Sequence, residues 1–395
     1  MELLARRFDT DQTVRLEIAD GRIARVTAVE RRRSVELPRV APGLIDLQVN
    51  GYRGTEFNSP ELTPEKIAGV VRVMDSFGVT RFCPTLTTEH FDVLHGCLRT
   101  IAEACRSPEI GRRIAGIHLE GPYISSEDGA RGAHPREHCR EPDWDEFERL
   151  QAAADGRIRI LTMGVELDAA TDFIRRTADS GVIVAIGHTA ANPAQIRAAV
   201  DAGARMSTHL GNGSHPTIHR LSNYIWPQLA DDRLVAGLIA DGHHLPPEVV
   251  KTFVRAKTPE RCILVSDLVG PAGMPPGRYG SSLCDVEVLS DGKLVIAGQR
   301  ELLAGASRPI GTGIANVMHY AEIGLDVAVR MAVDHPAELL GIEPGGLQPG
   351  DPGDLVLFDL RESSQPGEPP TFEVRATLVG GEPVFGRLEG VAAGG

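Results

Sequence analysis

Eight short, apolar, β-rich runs recur through the middle of this chain, and most are bridged by a segment with helical spacing. They cover Leu44–Val49, Thr80–Pro84, Ile114–Leu119, Ile158–Val165, Ile183–Gly187, Ala204–Thr208, Val235–Ile239 and Ile263–Ser266. Strands buried on both faces and separated by helices imply a parallel sheet, and eight such units over roughly 225 residues favour closure into a (β/α)8 barrel. Two bridges carry clear helix signals. One begins at Pro64; the other begins at Pro193 and is closed by Gly203, the residue type that best ends a helix. An open doubly wound sheet is the alternative. It is weakened because no Gly-x-Gly-x-x-Gly follows the first run.

The two ends of the chain have a different texture. Thr13–Ile18 alternates apolar and polar residues, a turn at Gly21 follows, and Ile23–Val29 repeats the pattern. After Leu347, Leu355–Phe358 and Thr371–Val379 read as strands, the second followed by a Gly380-Gly381 turn. The expected fold is therefore α/β: a (β/α)8 TIM-like barrel with a small β-sandwich domain built from both termini. The corresponding divisions are 1–40, 41–346 and 347–395. The tail from about Leu388 lacks apolar periodicity and is expected to fray.

Function classes narrow with composition. A chain of 395 residues with 42% hydrophobic content can bury a large core. Its 41 Lys and Arg against 54 Asp and Glu leave a formal charge of −13, with no basic run to serve as a nucleic-acid footprint. The opening Met-Glu-Leu-Leu-Ala-Arg-Arg has no apolar signal core, and no stretch of about 18 uncharged apolar residues occurs, so no membrane role and a cytoplasmic location are expected. The six cysteines lack Cys-x-x-Cys spacing and are expected to be reduced.

Polar residues suited to metal chemistry stand at the ends of four runs: Gly116-Ile-His-Leu-Glu120-Gly-Pro122, Ala185-Ile-Gly-His188, Ser207-Thr-His209 and Leu264-Val-Ser-Asp267. Two imidazoles and a carboxylate on one divalent ion leave a position open for water, and a free carboxylate beside it can move that water's proton. In a barrel these ends are the face that carries the chemistry.

Together with Pro42–Gly51, Thr208-His-Leu-Gly-Asn212, Ile239-Ala-Asp-Gly-His-His244 and Pro271-Ala-Gly273, these motifs make the chain resemble the amidohydrolase superfamily, and within it the N-acetylglucosamine-6-phosphate deacetylase family. The resemblance covers nearly the whole chain. It implies a cytoplasmic homodimer of amino sugar metabolism that hydrolyses a linear amide, with an N-acetyl amino sugar 6-phosphate as small-molecule substrate. Glu120, His188 and His209 are the implied metal ligands, and Asp267 is the implied general base and acid. His244 would face the substrate's carbonyl oxygen. Ala133, His134, Asn212, Gly213, Asp241, Leu303 and Gly305 would line the substrate, and Arg220, from the neighbouring subunit, would bind the phosphate.

One ion per chain is expected, zinc first, with iron(II), cobalt(II) or manganese(II) as alternatives. Where many amidohydrolases carry His-x-His, this chain has Gln48-Val-Asn50, and amides are poor ligands for zinc. Gln48 and Asn50 either satisfy backbone groups at the barrel mouth or touch substrate. His118 shares a strand face with Glu120 and is expected to be structural or to support the metal ligands. The segments after Asn212 and Leu303 depart from the family pattern, and His215, His219, Tyr224, Trp226 and Arg308 either remodel the pocket or pack at a subunit interface. Hydrolysis of N-acyl amino acids or cyclic amides, and a non-catalytic carbohydrate-binding role, stay open at this point.

Overall fold

The structure, a computed structural model, describes residues 1–30 and 36–388. The expected frayed tail, 389–395, lies outside the described residues. All eight runs form strands of one parallel sheet: Leu44–Val49, Val79–Thr87, Ile117–Glu120, Ile158–Met163, Ile183–Ile186, Met206–Ser207, Val235–Leu238 and Cys262–Leu264. Each pairs in parallel with the next in chain order. The helices between them form the outer layer. Pro64–Ser76 starts where Thr63 accepts the Lys66 N–H, and Pro193–Ala202 starts with a reciprocal Asn192–Gln195 capping box and stops at Gly203.

Alternate side chains along each strand separate two apolar layers. Ile45, Leu47, Cys83, Ile160, Ala185, Met206 and Ile263 pack in one cluster. Leu44, Phe82, Leu119, Leu161, Val184 and Leu238 pack in a second, together with helix residues such as Ile67, Leu98 and Ile196. Each fully buried aliphatic side chain contributes about 1.5 to 3 kcal/mol, and this layered burial sets the strand order. All six cysteines are free, and Cys83, Cys97, Cys105 and Cys262 are buried.

Closure between the first and eighth strands uses few ladder bonds. Below, Met331 and Ala332 insert their backbone: the Ile45 N–H donates to Ala332 and the Leu264 N–H to Met331. Above, the buried Asp46 carboxylate accepts the N–H groups of Gln48 (3.2 Å) and Ser266 (3.1 Å). At the rim, the Asp267 N–H reaches the Gln48 carbonyl at 2.9 Å and the Asn50 N–H reaches Leu268 at 2.7 Å. The seam therefore brings Gln48 and Asn50 against Asp267.

The termini combine in one seven-stranded sheet with Arg39–Pro42 and Leu355–Arg361 at its centre. Leu3, Leu16 and Ile18 share one apolar core with Leu355, Leu357 and Leu378. A four-stranded antiparallel insert between Gly277 and Leu303 was not foreseen from the sequence. No helix among the described residues is long and apolar enough to cross a membrane.

Candidate active site

Glu120 is the last residue of the third strand, whereas His188, His209 and Asp267 lie two or three residues beyond the fifth, sixth and eighth. All four are buried. The last three adopt left-handed backbone conformations, with φ of +48°, +27° and +54°, which cost non-glycine residues on the order of 1 to 3 kcal/mol each. Neighbouring backbone holds them. The His188 carbonyl accepts the Ser125 N–H at 2.9 Å, the His209 carbonyl accepts the Asn212 N–H at 2.9 Å, and the Asp267 carbonyl accepts the Ala306 N–H at 3.0 Å. These turns aim three side chains at one point above the barrel axis.

At that point Glu120 Oε1 lies 2.9 Å from His209 Nε2 and 3.2 Å from His188 Nε2, and the two imidazole nitrogens are 3.2 Å apart. Three ligands about 2.0 Å from a tetrahedral ion would be about 3.3 Å from one another. The protonation pattern also fits. His188 Nδ1 faces the Ala130 carbonyl at 3.0 Å, which only accepts, so a neutral ring directs its Nε2 lone pair at Glu120 and His209. Lone pairs and a carboxylate converge stably only around positive charge. Burial works against the charge of Glu120, but the adjoining imidazoles of His188 and His209 hold its carboxyl well below the usual carboxylate range. His134 stands beside this set: its donor atom and those of Glu120 and His188 lie within 4.8 Å of one another. The tighter trio is Glu120, His188 and His209.

The Gln48 and Asn50 side-chain amides hold carboxylates rather than backbone groups, and Asn50 also lines the cavity over the centre. Gln48 Nε2 donates to Glu120 Oε1 at 3.1 Å, and Asn50 Nδ2 donates to Asp267 Oδ1 at 2.7 Å. One amide thus holds each carboxylate. Burial, reinforced by the nearby charge of Glu120, pushes the Asp267 carboxyl up to about 7. Asp241 binds His244 Nδ1 at 2.8 Å and accepts the N–H groups of His243 and His244. Against the cost of burial, those bonds hold Asp241 down at about 2, so a carboxylate fixes the His244 ring.

A cavity of about 490 Å³ opens over this centre. It is lined by Ala133, His134, Asn212, Gly213, His244, Leu303 and Gly305 along with Glu120, His188, His209 and Asp267. Gly213 must be glycine, because its φ is +55° and a Cβ would fall 2.6 Å from His188 Nδ1. Gly305, at φ +74°, leaves no room for a Cβ against Val269. Asp241 sits behind His244, outside the lining. Arg220 is exposed and lies outside the lining of its own chain's cavity. His118 is structural, its ring held between the Leu47 carbonyl at 3.0 Å and Thr162 Oγ1 at 2.7 Å.

His134 Nδ1 accepts the Thr88 N–H at 3.4 Å, leaving its proton on Nε2, and burial holds the ring neutral, well below the usual imidazole range. Leu283, Ile296 and Leu302 from the insert add an apolar wall to the cavity that sequence reasoning missed. Of the divergent residues, His215 lines the cavity, Tyr224 supports it, and Trp226 is exposed, donating to the Arg220 carbonyl at 2.9 Å. His219 accepts the Leu221 and Ser222 N–H groups within its own loop, and Arg308 reaches the Asp241 carbonyl at 3.5 Å.

A (β/α)8 barrel with a His–His–Glu cluster and a free aspartate at the strand ends defines a metal-dependent hydrolase of the amidohydrolase class. Residues 39–384 match the Amidohydrolase family. The chain is 35% identical over 357 residues to a Bos taurus N-acetylglucosamine-6-phosphate deacetylase, covering 88% of this chain and 83% of the relative. It is 32% identical over 366 residues to an N-acetylgalactosamine-6-phosphate deacetylase of Escherichia coli O157:H7, covering 90% and 94%. The Mycobacterium smegmatis N-acetyl-D-glucosamine-6-phosphate deacetylase superposes with a TM-score of 0.86 at 29% identity, over 98% of this chain and all of the other. The chain belongs to the amidohydrolase superfamily and, within it, to the N-acetylglucosamine-6-phosphate deacetylase family.

Proposed function

We propose that this chain hydrolyses the acetamide of an N-acetylhexosamine 6-phosphate, releasing acetate and the free amino sugar phosphate. The observation that carries the reading is the convergence of Glu120 Oε1, His188 Nε2 and His209 Nε2 beneath the cavity, with Asp267 at its edge. Those three residues would hold one divalent ion, zinc before iron(II), cobalt(II) or manganese(II). Such an ion supplies Lewis acidity and makes water a usable nucleophile near neutral pH.

The chain's own groups do the rest. Asp267, held by Asn50, takes a proton from the attacking water and delivers it to the departing amine, one carboxylate serving as base and then acid. His244, fixed by Asp241, and the Nε2–H of His134 flank the reacting carbonyl and hydrogen-bond to the oxygen as charge develops on it. Asn212, Gly213, Ala133, Leu303 and Gly305 shape the sugar site. Arg220 reaches the phosphate of a second subunit's substrate. The exposed Ile218, Leu221 and Trp226 surrounding it supply apolar surface for a homodimer. A cytoplasmic location completes the reading.

The test is a panel of N-acetylglucosamine and N-acetylgalactosamine, each with and without 6-phosphate, with free amine as the readout. Metal-dependent release of amine fastest from a phosphorylated sugar supports the proposal. Turnover confined to N-acyl amino acids or cyclic amides rejects it.

A further inference from the structure

Among the described residues lining the cavity there is no lysine or arginine. Four of its five imidazoles have roles in the reading above: His188 and His209 stand with Glu120 at the metal position, and His244, fixed by Asp241, and His134, packed against His188 with ring centroids 4.3 Å apart, face the reacting carbonyl. His215 is the fifth. It stands on the loop after the sixth strand, where the chain departs from the family pattern. Tyr224 orients it: the phenol oxygen accepts the His215 backbone N–H at 2.8 Å and lies 3.1 Å from Nδ1. A hydroxyl oxygen that accepts a backbone proton offers its own hydrogen to Nδ1, which leaves the neutral ring's proton on Nε2.

That Nε2–H makes no hydrogen bond among the described residues. Its nearest carboxylate is the exposed Glu127, at 3.4 Å. On the other side the ring is set by Gly129, where a Cβ would fall 2.9 Å from His215 Cα and 3.1 Å from Cδ2. His215 is therefore an oriented donor with unused capacity in the cavity wall.

We infer that His215 is a specificity residue that donates to the substrate's phosphate monoester from within the same chain, in place of its loose contact with Glu127. This assignment rests on the phosphorylated-sugar reading above. A phosphate oxygen is a stronger acceptor than the solvated carboxylate it replaces once the cavity excludes water. Tyr224 acts through His215 and is a positioning residue.

The experiment measures kcat/KM for N-acetylglucosamine 6-phosphate and for N-acetylglucosamine in the wild type, His215→Ala, His215→Gln and Tyr224→Phe, with inorganic phosphate as an inhibitor. In His215→Ala the ratio of the two kcat/KM values falls by roughly 10- to 100-fold, mainly through KM, the scale of one hydrogen bond to a charged group. The inhibition constant for inorganic phosphate rises with it. His215→Gln, whose amide still donates, retains part of the ratio, and Tyr224→Phe lowers the ratio less than His215→Ala does. An unchanged ratio in His215→Ala, with both substrates slowed equally, overturns the assignment and leaves the phosphorylated-sugar reading standing. A wild type with no preference for the phosphorylated sugar overturns that reading, and the assignment with it.

Discussion

Asp267 occupies an environment far from that of a carboxylate in water. Burial and the charge of Glu120 raise its pKa to about 7 in the protein alone, while a cation held by Glu120, His188 and His209 pulls in the opposite direction. Asn50 then matters as a fixed donor that orients one oxygen and leaves the other for proton transfer. Asp267→Asn is expected to keep the fold and one ion per chain while lowering kcat by roughly two to four orders of magnitude, the scale of a lost acid-base group. His209→Ala should instead release the ion, because a three-ligand site cannot spare one. Elemental analysis paired with turnover separates the two. Two ions per wild-type chain, or normal turnover in Asp267→Asn, would reject these roles.

Among the elements, the seam between the first and eighth barrel strands is the least regular, and Asp46 bridges it. Burial pushes this carboxyl up to about 6, from about 3.8 in an exposed chain, because the folded state disfavours its charge. The sign follows from linkage. The folded state holds the proton more tightly, so this group favours folding most below pH 3.8. That contribution is lost as pH rises to about 6 and does not change further above it. The difference is on the order of 3 kcal/mol. Asp46→Asn keeps an oxygen to accept the Gln48 and Ser266 N–H groups without a charge. The stability of the wild type relative to this variant should therefore fall between pH 4 and pH 6.5 in denaturant titrations. A constant difference across that window would show that the seam does not carry the charge penalty.

At the scale of the whole molecule, Arg220 is exposed on one chain, outside the cavity that its own loop helps to line. If two chains share their sites, mixing Arg220→Ala with Asp267→Asn should restore activity on the phosphorylated sugar, since an intact Asp267 site would receive Arg220 from its partner. Failure to complement despite proven subunit exchange would place phosphate binding within one chain. The barrel itself was legible from the amino-acid order, because eight short apolar runs, most of them bridged by segments with helical spacing, are local patterns. Glu120, His188, His209 and Asp267 were legible too, since strand ends mark the barrel mouth. The partners of Gln48 and Asn50 were not, although closure makes the first strand neighbour the eighth, and they lie 72 and 217 residues from Glu120 and Asp267. The insert's apolar wall and the orientation of His215 were likewise decided by packing between distant loops. Local sequence determines which residues can form strands, helices and turns. Only tertiary structure decides which buried polar atoms meet, because each must find its partner across whatever distance the closed barrel brings together.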